Sequence, residues 1–370
     1  MNTTISRLEC WVLRAPIAVP VANAFGAMTN RPAVFLRVSS SDGAWGWGEV
    51  FCNFPQVGAE HRARLIESIF APLLAGGATD EPRAVRSMLE QRTRQMAIQC
   101  GEPGPFAQIT GAIDQALWDM AARRAGEPLW KHLGGQNVLN VYASGIGPDA
   151  VAETALAKRD EGFTAFKLKV GFGTVRDRAN LVALREALGD SAIIMTDANQ
   201  AWSPEEAVTL VAELAEFRPH WIEEPIGADQ SVESWRDLAR DSAIPLAAGE
   251  NMRGDDNFSA ALDARYLAFV QPDVGKWGGI SGCIDVARHA ARHGIAFCPH
   301  WLGGGVGLAA SMHLVAAVGS AQSFAEVDAN PNPLREEVMV FVINNGRVAM
   351  SSAPGLGVEP DLRRLARYME

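Results

Sequence analysis

Lys167 and Lys169 stand two apart in "FKLKVG", residues 166–171, so on a strand both ammonium groups share one face. Like charges that close repel, and burial sharpens the repulsion, so the pair needs negative charge beside it. Asp197, Glu223 and Glu250 follow at intervals of 26 and 27 residues. Three carboxylates suit a hard divalent cation, Mg²⁺ first and Mn²⁺ as the alternative. They exceed the ion's charge by one, and the lysines restore the positive potential that an anionic substrate needs. Each lysine and the cation also lower the other lysine's pKa, which favours a neutral amine base. Asp273 and His300 are 27 residues apart, and a carboxylate beside an imidazole fixes its tautomer and stabilises its cation. Two bases facing each other across a metal suit removal of a proton from carbon next to a carboxylate.

Such a ring of ionisable groups requires elements that end together. From about residue 138, short apolar strands alternate with amphipathic stretches: "NVYASGI", "TAFKLKV", "AIIMTDA", "HWIEEP", "IPLAAGE", "LAFVQPD", "IAFCPH" and "SFAEVDA". The regular spacing predicts a (β/α)8-type barrel, whose catalytic groups sit at the C-terminal strand ends. Lys167, Lys169, Asp197, Glu223, Glu250, Asp273, His300 and Glu326 all fall there. A doubly wound sheet is the alternative, but "NVYASGIGPD" lacks the glycine fingerprint. Before the barrel come three strand-like runs, then helical patterns at about 59–75, 82–98 and 104–124, an α+β order. Asn345-Gly346 marks a hairpin in the tail, which is expected to return to the first domain.

The chain has 370 residues, 48% hydrophobic and 21% charged, with net charge −10. That composition predicts a globular protein of one large or two medium domains and argues against a nucleic-acid partner. Five cysteines with no CxxC pair favour reduced thiols and a cytoplasmic location. Arg7, Glu9 and Arg14 interrupt any secretory signal. Residues 303–321 carry no formal charge, but Gly, Ala, Ser and His313 fit a buried helix better than a membrane span.

The motifs "KLK", "TDANQAW", "WIEEP", "AAGE", "QPDVGKWGGISG" and "CPHWLGG", with "GWGE" and "AGEPLWKHLGG" before them, resemble the enolase superfamily, specifically its mandelate racemase-like subgroup. Aspartate at 273, where muconate cycloisomerase-like relatives carry lysine, favours that branch. The resemblance implies a (β/α)7β-type TIM barrel (126–337), an α+β capping domain (1–125) and a C-terminal segment (338–370) that completes the cap. It implies that Asp197, Glu223 and Glu250 bind Mg²⁺, with Glu223 rather than Glu224 the ligand. Lys169 would be one base with Lys167 as its electrostatic partner, and His300 with Asp273 the other. Glu326 would hydrogen-bond the substrate carboxylate. The expected activity is acid-sugar dehydration to a 2-keto acid. Racemisation or epimerisation of a 2-hydroxy acid is the alternative, and a non-catalytic metal- and carboxylate-binding barrel the remote one. A small carboxylate is the expected partner, with no membrane partner, and a homo-oligomer is expected.

Asn199, Glu224 and Lys276 are expected to orient the ligands and lysines. Two first-domain loops should close over the barrel: Phe25, Met28, Phe51 and Phe54 make them apolar, while Asn23, Asn30, Asn53 and Gln56 could bind hydroxyls. Competing readings are blander. The lysines could be edge-strand charges, and "WLGGGVG" reads as a tight turn before it reads as a phosphate cradle. His289 and His293 have zinc-compatible i,i+4 spacing but no third ligand nearby in sequence, so they read as a solvated face. His132 and His220 read as structural or surface histidines, and Cys298 as core.

Overall fold

The computed structural model describes residues 3–23, 26–78 and 81–369. Strands β1 (Ile5–Asn23), β2 (Gly26–Ser40) and β3 (Trp45–Val50) form an antiparallel sheet in that order. The helix Pro103–Arg124 lies against β3. Gly46 and Gly48 permit the approach, because a Cβ there would meet Ala116 O at 1.9 Å and Ala112 O at 2.0 Å. The same helix covers the free edge of β3 with polar side chains. Asp119 accepts from Trp47 N at 2.8 Å, while Gln115 accepts from Glu49 N and donates to Glu49 O, both at 3.1 Å. An edge satisfied in this way cannot recruit a foreign strand. The helical run expected at 59–75 is interrupted by a π turn, Ile66–Phe70, between Gly58–Leu65 and Ala71–Leu74.

The barrel follows. Its strands are β4 (Val138–Ile146), β5 (Ala165–Lys169), β6 (Ile193–Asp197), β7 (Ile222–Glu223), β8 (Leu246–Ala248), β9 (Phe269–Val270), β10 (Ala296–Phe297) and β11 (Phe324–Asp328). Parallel pairing runs from β11 through β4 and on to β10. Seven helices connect the eight strands, and only the short turn Pro333–Glu336 follows β11, so the fold is a (β/α)7β barrel with an α+β cap. The uncharged segment 303–321 forms the buried helix Gly305–Val318. Among the described residues no helix is long and apolar enough to cross a membrane.

The tail hairpin, β12 (Ile343–Asn344) and β13 (Arg347–Ala349), turns at Asn345-Gly346 and adds antiparallel to the start of β4. The contacts to the cap come from the chain beyond it. Leu356 N donates to Asp119 at 2.6 Å, Arg123 to Val358 O at 2.8 Å, and Trp47 Nε1 to Glu359 at 3.1 Å. Residues 338–369 therefore touch both units.

Inward residues alternate along each strand and sort into two levels. Tyr142, Ala165, Met195, Trp221, Ala247, Phe269, Cys298 and Phe324 form a buried apolar floor. Two residues later come Ser144, Lys167, Asp197, Glu223, Gly249, Gln271, His300 and Glu326, so one pleat repeat separates the floor from the polar mouth. Gly249 is required, because a Cβ there would meet the Gln271 backbone at 2.7 Å.

Candidate active site

The strand ends bring the predicted groups together. Lys167 is fully buried, with Nζ 2.7 and 2.8 Å from the two Glu223 oxygens, 2.8 Å from Glu326 and 3.6 Å from Asp197. These acids hold its ammonium well above the ordinary value although burial opposes them. Lys169, one repeat higher, donates to Asp197 at 2.6 Å and to Asn199 at 2.9 Å. The lysine pair by itself does not drive either amine toward neutrality. Burial and Lys167 lower the Lys169 pKa, but Asp197, Glu223 and Glu250 together raise it above the ordinary lysine value.

Across the ring, Asp273 and His300 form a parallel bridge between neighbouring strand extensions. His300 Nδ1 lies 2.6 Å from Asp273 and Nε2 lies 2.8 Å from Glu250. Burial opposes the imidazolium, but Glu250, Glu326 and Asp273 lift its pKa to about 10. The other Asp273 oxygen accepts from Gly275 N at 2.7 Å and Lys276 N at 3.0 Å, so the dyad is held by backbone. Glu326 accepts from Ser144 and Lys167 on one oxygen and from Trp301 N at 3.0 Å on the other.

Of the three acids expected to bind metal, Asp197 and Glu223 sit in register on β6 and β7, and Glu250 lies just past the end of β8. Each is turned onto a cation: Asp197 onto Lys169, Glu223 onto Lys167, and Glu250 onto Lys276 at 2.8 Å and His300. Burial and mutual repulsion with Asp197, Glu326 and Glu250 raise Glu223 to about 7 despite Lys167. Asn251 bridges the next shell, donating to Glu224 at 2.8 Å and Glu250 at 3.2 Å and accepting from Lys276 at 3.2 Å. Glu224 and Asn199 adopt left-handed backbone, φ 40° and 46°, an arrangement kept where the surroundings impose it. The second carboxylate oxygen of Glu224 is buried without a partner.

Sequence reasoning missed several supports. Gln271 donates to Glu223 at 2.6 Å, and Ser144 holds Glu326. Both lie one pleat above floor residues, a periodicity visible in the strands. Glu49 of "GWGE" carries no such signal. It crosses from the cap to accept from Gly304 N at 2.5 Å and Gly307 N at 2.9 Å, fastening the loop after His300. Of the loop residues, Phe51 lies under the Lys276 ammonium, 4.6 Å from the ring centroid, and Met28 is buried. Phe54 is half-buried and Gln56 exposed. Asn53 donates to Leu302 O at 2.6 Å, and Asn30 accepts from Arg14 at 3.0 Å. Phe25 and the Asn23 side chain lie outside the described residues.

Comparison with known proteins settles the family. The enolase C-terminal domain-like model matches residues 150–364, and the mandelate racemase/muconate lactonizing enzyme N-terminal domain matches 7–134. The chain belongs to the enolase superfamily. Within it the chain falls in the mandelate racemase-like subgroup, and it is an enzyme. A D-galactarolactone cycloisomerase of Agrobacterium fabrum is 30% identical, covering 98% of both chains. A D-galactonate dehydratase of Klebsiella pneumoniae is 33% identical, over 89% of this chain and 88% of that one. Among solved structures, a mandelate racemase/muconate lactonizing enzyme from Bordetella bronchiseptica RB50 is 46% identical over the whole of both chains, with TM-score 0.92. A Streptomyces coelicolor racemase with bound magnesium is 29% identical over 99% of this superfamily member and all of the racemase, TM-score 0.90.

Proposed function

We propose that this enzyme removes the α-proton of an acid sugar and expels its β-hydroxyl, giving a 2-keto acid. The observation that carries the reading is placement: Lys169 on β5 and the His300–Asp273 dyad beyond β10 and β9 flank the acid trio from opposing sides of the ring. Asp197, Glu223 and Glu250 would hold Mg²⁺, with Mn²⁺ the alternative of similar hardness. The set fits, being buried, all oxygen and mutually repelling. Bound there, the ion would supply Lewis acidity that stabilises an enediolate and weakens the hold of Asp197 on Lys169.

The chain's own residues divide the remaining work. Lys169 takes the α-proton at Nζ. Lys167, locked between Glu223 and Glu326, keeps positive potential under the substrate carboxylate, and Glu326 orients that carboxylate. His300, oriented through Nδ1 by Asp273, gives the Nε2 proton to the departing hydroxyl. Asn199 fixes Lys169 and Lys276 fixes Glu250, while Glu224 acts on Glu250 through Asn251. The cap loops exclude water. The relatives named as D-galactonate dehydratase and D-galactarolactone cycloisomerase support a polyhydroxy acid as substrate. Homo-oligomeric assembly and a cytoplasmic location belong to the same reading.

One observation favours a second outcome. Asn53 and Asn30, expected to meet substrate hydroxyls, are engaged by Leu302 O and Arg14, while Phe51 faces Lys276. A less hydroxylated 2-hydroxy acid, racemised by return of a proton from His300, would suit that lining. Incubation with six-carbon aldonates and aldarates, and with less hydroxylated 2-hydroxy acids, in D₂O separates the cases. A 2-keto acid is expected; α-deuteration with falling optical rotation and no keto acid would give racemisation. Neither, across the library, would leave only binding.

A further inference from the structure

The fold supplies the third donor that the histidine pair lacked in sequence. His289 and His293 lie at the C-terminal end of the helix Gly279–Arg292, and Asp263 at the end of the preceding helix Asp255–Ala264. Asp263 Oδ1 is 2.7 Å from His289 Nε2 and 3.1 Å from His293 Nε2, and the three donor atoms all lie within 4.8 Å of one another. We propose that Asp263, His289 and His293 form a surface site for a transition-metal ion of the Zn²⁺ class, separate from the barrel mouth.

The donor types are those such ions take, two imidazoles and a carboxylate, with water completing a tetrahedron. Donors about 2.0–2.1 Å from a tetrahedral ion are about 3.3 Å apart, so the two carboxylate–imidazole distances need only lengthen slightly, while the imidazole nitrogens already lie within 4.8 Å of each other. Both contributing helices end here, and their last carbonyls favour a cation. Because barrel helices run antiparallel to the strands, this end lies at the opposite face from the catalytic groups. There an ion would tie the helix after β8 to the helix after β9, a stabilising role rather than a chemical one.

One contact opposes the ion. Arg265 Nε donates to His293 Nδ1 at 3.2 Å, which places the neutral ring's proton on Nε2, toward Asp263. Metal at Nε2 moves that proton to Nδ1, so Arg265 must swing away, and it ends the helix on an exposed turn from which it can. Arg265 is therefore a brake on affinity.

Calorimetric titration of ZnCl₂ into the full-length protein with excess MgCl₂ tests this, since Mg²⁺ competes poorly for imidazole. Wild type should bind one Zn²⁺ that His289→Ala and His293→Ala lose, and that Asp263→Asn holds about tenfold or more weakly. Arg265→Ala should bind it more tightly, and Zn²⁺ should raise Tm in wild type but not in His289→Ala. All are surface changes, so the variants should keep the wild-type far-UV circular dichroism. Indistinguishable isotherms for wild type and His289→Ala would overturn the proposal, whatever the barrel mouth is found to do.

Discussion

Floor and mouth of the barrel are built from the same strands, one pleat apart, yet obey opposite rules. The floor stacks Tyr142, Trp221, Phe269 and Phe324, with Tyr142 edge-on to Trp221 at 5.4 Å and Trp221 4.8 Å from Phe269. Its stability comes from apolar burial and ring packing. The mouth buries lysines, carboxylates and a histidine, each costly to desolvate and tolerable only through its partners. A position on the floor is kept for packing; a position one repeat higher is kept for charge.

Breaking the comparison at the mouth should give the largest effect. Lys169→Ala and His300→Asn should each lower kcat per folded molecule about a thousandfold or more, far beyond any loss of folded protein caused by leaving Asp197, or Glu250 and Asp273, without that partner. Loss of activity only in proportion to loss of folded protein would erase the distinction. On the floor, Trp221→Ala should cost about 3–5 kcal/mol in denaturant unfolding, while kcat per folded molecule stays within about tenfold. Saturating Mg²⁺ should stabilise the wild type by about 2.7 kcal/mol at a hundred times its Kd, and Glu250→Gln should lose most of that gain.

A smaller test lies at the junction of barrel and tail. His313 is buried, accepts from Trp130 N at 2.9 Å through Nδ1 and donates to Leu356 O through Nε2 at 3.1 Å. Burial pushes its pKa down from 6.5 to about 4. The folded protein therefore binds fewer protons than the unfolded chain in that window. Stability is full above pH 6.5 and falls as pH drops toward 4. In His313→Gln the drop should be shallower than in wild type, measured as Tm against pH.

Strand ends were legible because each ionisable group follows an apolar run, and a period-2 strand must present it inward above a floor residue. "FKLK", "MTD", "WIE" and "FAE" all show this. Contacts between distant segments were not legible. Glu49 meets Gly304 across 255 residues, and Asp263 completes the histidine pair from another helix. The set of acids around Lys169 was not legible either: Asp197, Glu223 and Glu250 act on it along with burial and Lys167. The hairpin was visible at Asn345-Gly346, but its partner, the start of β4, was set by three-dimensional closure.

The central claim is geometric, and a crystal structure grown with Mg²⁺ tests it without knowledge of the substrate. The account predicts one ion bound by Asp197, Glu223 and Glu250, with Lys169 Nζ and His300 Nε2 facing each other across the space above it. An ion bound elsewhere, with those carboxylates still closed onto the lysines, or either nitrogen turned out to solvent, would contradict it.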